Sequence, residues 1–266
     1  MKIWTIARNT LSSFLRDRVI ILLFCGFLCI VLLMMTPLWA ARAMTTVENK
    51  QVMQSTVNGM VSAIMGFVSG CGSLLAAWSA ADSVATEMKS GTILAVVARP
   101  LNRWEFLAGK YLGVLLLMLI YTLSMLGLSF FLAWLGGERI QASPWILVVY
   151  PMVRYSLYAA ISMLLVTFMH PVAAVGLVIV TSVVSSLLSS NYVLTSAHAN
   201  VWRPFYYVFP SLGFISEDKF LALTKASLVS TSAVEHLTVL GYGLDYALVF
   251  FLLAVWSFHY RNLKRD

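Results

Sequence analysis

Charge is scarce in this chain. Only 11% of its 266 residues are Asp, Glu, Lys or Arg, against roughly 25% in a soluble globular protein. So few charges cannot cover a surface that meets water on every side. Cysteine is scarce too. Cys25, Cys29 and Cys71 are three in number and sit inside apolar stretches, which excludes a disulfide framework. A phosphate-cradling loop is missing: Gly109-Lys110 has Trp104 where the pattern needs its first glycine, and it continues with Tyr111. Any step driven by ATP therefore needs a second polypeptide. His170, His198, His236 and His259 are scattered, and no Ser-His-Asp or paired-carboxylate arrangement stands out. That leaves little for an enzyme to work with.

What is present is apolar. Hydrophobic residues make up 60% of the chain and the mean hydropathy is +0.86, well above the roughly 45–50% apolar content of soluble domains. Six stretches reach the ~20 residues that a spanning helix requires: 19–39, 57–81, 111–135, 145–169, 172–190 and 240–258. The pattern predicts an all-α integral membrane protein with six transmembrane helices, forming a single domain over residues 1–266. His170-Pro171 divides the fourth stretch from the fifth. Proline supplies no N–H and disfavours helix before it, so a tight hairpin is expected, with one kinked helix as the alternative.

Six spans place both termini on one side. Lys2, Arg8, Arg16 and Arg18 in the N-terminal arm, Lys89, Arg99, Arg103 and Lys110 between the second and third spans, and Arg261, Lys264 and Arg265 in the tail lie on one face. They are eleven of the 18 basic residues, and the positive-inside rule makes that face cytoplasmic. The net charge of +7 thus points to the membrane, not to nucleic acid. Ile3, Ala7, Leu11, Phe14 and Leu15 follow helical spacing, with Lys2, Arg8, Ser12 and Arg16 off that stripe. The arm is expected to be an amphipathic helix on the cytoplasmic lipid surface. On the other side, residues 191–239 carry Trp202, Phe205, Tyr206 and Tyr207, aromatics suited to the membrane interface.

The segment from Glu87 to Lys110 holds the most information. Ser90-Gly91-Thr92 supplies a turn and a helix N-cap. Thr92 to Ala98 is long enough for about two helical turns, and Pro100 stops them. An ordinary basic loop is the plain alternative. The order Glu-x-x-Ser-Gly-Thr, then Arg-Pro-x-x-Arg, then Gly-Lys at the next span, resembles the first cytoplasmic loop of ABC-2 type transport permeases. It is similar in particular to the subgroup of nitrous-oxide-reductase maturation and antibiotic or sodium efflux permeases. Asn102 departs from the Ser often found there. The resemblance implies that this loop forms a short coupling helix between spans two and three, docking on a separate ATP-binding subunit that holds ATP and Mg. Glu87, Ser90, Gly91, Thr92, Arg99, Pro100 and Arg103 are the positions it carries over. It also implies a second permease copy, as homodimer or heterodimer, export across the inner membrane, and no catalytic residue in this chain. A membrane anchor that docks an ATPase without moving cargo, or less favourably an intramembrane enzyme, are the alternatives. The motif does not identify the cargo.

Within the spans, Arg154 and Asp245 are charges at comparable depth. A mid-membrane charge costs about 2.5–3.5 kcal/mol on insertion scales. The expectation is an Arg154–Asp245 ion pair, or a polar cavity that both line, with outward snorkelling of Arg154 as the alternative. Gly66-x-x-x-Gly70 has the spacing that lets helices approach closely. Cys25 and Cys29 lie four apart on one helix face among 13 methionines. Without converging ligands they are read as adaptable apolar fillers, and no metal site is expected.

Overall fold

The computed structural model describes residues 2–44, 50–90, 103–135, 144–188 and 233–260. These form seven helices: α1 Lys2–Phe14, α2 Arg18–Met44, α3 Lys50–Ser90, α4 Arg103–Leu135, α5 Pro144–Val166, α6 Pro171–Leu188 and α7 Ala233–Tyr260. The described structure is all-helical. The stretches Trp104–Phe131, Trp145–Val166 and His236–Phe258 are long and apolar enough to cross a membrane, and Arg18–Leu33 and Pro171–Ser185 are shorter apolar helices.

α1 is a separate element, as its amphipathic pattern predicts. Ala7, Thr10 and Phe14 are buried, while Trp4, Arg8, Asn9 and Ser12 are exposed. The chain then turns at Arg16 and Asp17. Asp17 Oδ1 accepts a hydrogen bond from the Val19 N–H at 2.9 Å, capping the orphan donors at the start of α2. The fourth and fifth apolar stretches resolve into a hairpin. Backbone bonds from Thr167 to Leu164 and from Phe168 to Leu165 close the end of α5. Pro171 then opens α6 in the first position, where a missing N–H removes no helical bond.

α5 is the central helix. Within its spanning stretch 72% is buried, against 44% for α4 and 22% for α7, so the other helices are arranged around it. α3 can lie close to it because its facing residues are small: Ser69, Ser73, Ala76, Ala77 and Ala80 are all buried. The ring of Tyr155 from α5 sits directly over Gly72, leaving no room for a Cβ. Ser162 Oγ donates to the Ala77 carbonyl at 2.6 Å, and Tyr121 from α4 donates to the Val68 carbonyl at 3.0 Å. These bonds satisfy hydroxyls in a core that offers them no water.

α7 runs parallel to α5. Tyr150 Oη meets His236 Nδ1 at 2.6 Å at one end, and Thr167 Oγ1 meets Ser257 Oγ at 2.8 Å at the other. The long third helix departs from expectation. Its 41 residues correspond to roughly 60 Å, about twice the hydrocarbon thickness of ~30 Å. The apolar run ends near Ala81, but the helix continues to Ser90. Of the expected Ser90-Gly91-Thr92 turn, Ser90 is helical, and Gly91 and Thr92 lie outside the described residues.

Candidate functional site

The Glu87–Lys110 motif of the sequence frames a small structure at the base of α3 and α4. Glu87 stands one turn from the end of α3, and Lys110 stands two turns into α4. Their side chains form an ion pair. Lys110 is only 9% exposed, so its ammonium depends on this carboxylate: a buried charge left without its partner is strongly destabilising. The Lys110 ammonium also lies 5.7 Å from the centre of the Phe106 ring, an attractive geometry. Phe106 in turn stacks on Phe258 of α7 at 6.4 Å. The two ends of the loop are thus fastened to each other and to the last helix.

α1 is fastened to the same place. A Cβ on Gly109 would lie 2.7 Å from the Ile6 Cβ, and one on Gly113 would lie 2.7 Å from the Thr10 Cβ. Glycine at both positions is what lets α1 press against the α4 backbone. This Gly109-x-x-x-Gly113 seat was not singled out from the sequence, although its spacing was readable there. In the Gly66-x-x-x-Gly70 pair that was singled out, Gly70 behaves differently: a Cβ there would meet nothing within 4 Å.

Between the end of α1 and the end of α3 lies a polar cleft of about 620 Å³, lined by Asn9, Ser12, Ser13, Arg16, Asp17, Asp82 and Thr86. Asp82 accepts a bond from Thr86 Oγ1 at 3.2 Å. The sequence reading missed this cleft, because it depends on two segments some 70 residues apart.

Of the expected coupling positions, Glu87, Ser90 and Arg103 fall on helix ends: Glu87 and Ser90 in the last turn of α3, Arg103 at the first residue of α4. Gly91, Thr92, Arg99 and Pro100, with the short helix expected at 92–98, lie outside the described residues.

The intramembrane charges are not brought together. Arg154 Nη1 donates to Ser69 Oγ at 3.2 Å, and the guanidinium lies 5.7 Å from the centre of the Tyr158 ring. The Tyr158 hydroxyl shares a 2.6 Å hydrogen bond with Ser182 of α6. Arg154 Nε is buried without a hydrogen-bond partner. Asp245 is exposed. It stands two residues from both Gly243 and Ala247, which face the core, so it points about 200° away from them around the helix. An Arg154–Asp245 ion pair inside one chain is therefore not formed. Cys25, Cys29 and Cys71 are free, and among the described residues no three His, Cys, Asp or Glu side chains converge.

An all-helical described structure with three helices long and apolar enough to cross a membrane defines a class: a helical membrane protein. The family model described as ABC-2 family transporter protein matches residues 4–263, nearly the whole chain, and the protein belongs to that family. No curated protein matches it. Members of the family are membrane permease components of ABC transporters. They are not themselves catalytic, and they normally work with an ABC ATPase.

Proposed function

We propose that this protein is the permease subunit of an ABC exporter in the inner membrane. It has six spans, both termini in the cytoplasm, and a second permease copy beside it. A separate ATPase subunit, holding ATP and Mg, docks on the segment 87–110 and on the neighbouring face of α1. Glu87, Ser90, Gly91, Thr92, Arg99, Pro100 and Arg103 form the coupling positions. α2 and α3 supply the two spans that the apolar-length criterion leaves out, together with α6.

The observation that carries this reading is the ion pair between Glu87 and Lys110. It makes the two stalks of the loop a single body. A push delivered to the loop then moves the bases of α3 and α4 together, and with them α1, which is seated on Gly109 and Gly113. A loop whose ends were free would absorb the same push by bending. Export is favoured by the family resemblance.

The test is co-expression with an ABC ATPase subunit from the same organism. The wild-type permease is expected to co-purify with the ATPase and to change its rate of ATP hydrolysis. Arg103→Glu and Glu87→Ala are expected to lose most of that co-purification while still inserting in the membrane. Unchanged co-purification of both variants contradicts the docking assignment. Docking without nucleotide-dependent flux in vesicles contradicts transport and leaves an anchor.

A further inference from the structure

Arg154 and Asp245 each lack a charge partner within the described residues of one chain, and we propose that they pair between two copies: Arg154 of each protomer with Asp245 of the other. The inference rests on the permease acting as a pair.

Depth is the first argument. α5 and α7 run parallel, locked in register by Tyr150–His236 at one end and Thr167–Ser257 at the other. Between those two bonds, which join residues 86 and 90 apart, Arg154 comes level with about Gly241. Asp245 is about four residues further along, a rise of about 6 Å, which is within the reach of an arginine side chain. Both charges therefore sit within about one helical turn of the same height, close to the middle of their spanning stretches Trp145–Val166 and His236–Phe258.

Facing is the second. Asp245 shares its exposed face with Leu244, Leu248, Val249 and Leu252. Lipid suits those neighbours but not a mid-span carboxylate, and intramembrane acids face protein or water. Arg154 points the other way, toward Ser69 of α3, with Nε unsatisfied. Beside Ser69, the Gly70 surface is open, with nothing within 4 Å of a Cβ placed there.

The third argument is the occupant. An anionic lipid or cargo would satisfy Arg154 and leave Asp245 bare. A cationic partner would do the reverse. A second copy of this chain brings both missing charges at the right height. In a two-fold dimer each contact repeats, so two pairs form at once. Such a contact would also fix the register of the two permeases, a use to which buried ion pairs are well suited.

The experiment is a charge swap between differently tagged copies. Arg154→Asp is placed in one copy and Asp245→Arg in the other. Each alone can form only dimers with like charges opposed. The mixed dimer has an opposite pair at both contacts. Co-expressed and purified through both tags in sequence, mixed dimers are expected to exceed either self-dimer by at least about tenfold. Rescue of two poorly accumulating variants by co-expression supports the inference equally. Random mixing of the two variants overturns it, as does failure of both to accumulate even together. A chain carrying both changes restores opposite charges at both contacts of its own dimer and is expected to self-associate like the wild type. Wild-type copies bearing the two tags are run alongside. If these do not co-purify, the permease pair itself falls, and this inference with it. If they do and the variants mix at random, the pair stands and only this contact is wrong.

Discussion

At the base of α3 and α4 the buried ammonium of Lys110 has its charge partner, Glu87, in the same chain. Halfway through the bilayer the opposite holds. Lys110 is held by Glu87 and rests against Phe106. Arg154 has a serine and a tyrosine ring but no carboxylate, and Asp245 is exposed on a helix face otherwise apolar. The difference separates two tasks. On the proposed function, the base is stiff in a single protomer because force enters there from another subunit; on the proposed pairing, the middle is completed by assembly.

Four substitutions bear on that contrast. The largest effect is expected from Glu87→Ala, which leaves the Lys110 ammonium buried without its carboxylate. A loss of about 3 kcal/mol should appear as a lower unfolding midpoint in detergent, and Lys110→Met in the same chain should recover much of it. Gly109→Val comes next. Its side chain would occupy the space of Ile6, so overpacking of about 1–3 kcal/mol is expected. Hydrogen exchange of residues 2–14 should rise as α1 lifts off. Thr167→Val removes one hydroxyl bond between α5 and α7 and is expected to cost about 0.6 kcal/mol, read in the same unfolding assay. The smallest effect is expected from Asp245→Asn in the separated protomer, where no partner is lost and the midpoint should not move. If it falls as far as for Glu87→Ala, Asp245 has a partner within its own chain and the contrast between base and middle is broken.

Much of the helical framework was readable from hydropathy. Each of the six apolar runs lies wholly or mostly in a helix. Of the expected stripe Ile3, Ala7, Leu11, Phe14 and Leu15, Ala7 and Phe14 are buried and Ile3 and Leu11 half-buried, while Leu15 is exposed and Thr10 takes a buried place that the pattern did not assign. Helix ends were less readable. α3 and α4 extend past their apolar cores into charged residues, where hydropathy falls but the backbone stays helical. The motif named Glu87 and Lys110 as family positions without showing that they touch. That contact depends on two helices lying side by side, and sequence spacing does not encode it. The seat of α1 on Gly109 and Gly113 was hidden for the same reason: its partners are about a hundred residues away. For Arg154 and Asp245 the sequence showed charge and depth. What it could not show was the rotational setting of α7, and a turn of about 200° separates an internal pair from two unpaired groups.

The central claim is that residues 87–110 meet an ATPase in the cytoplasm, and sidedness tests it most directly. In a chain with Cys25, Cys29 and Cys71 replaced by serine, Val96→Cys supplies a single thiol on the segment. A membrane-impermeant thiol reagent is expected to label it in inside-out vesicles and to leave it unlabelled in intact cells. Labelling in intact cells would place the segment outside, beyond the reach of any cytoplasmic ATPase, and would contradict the account.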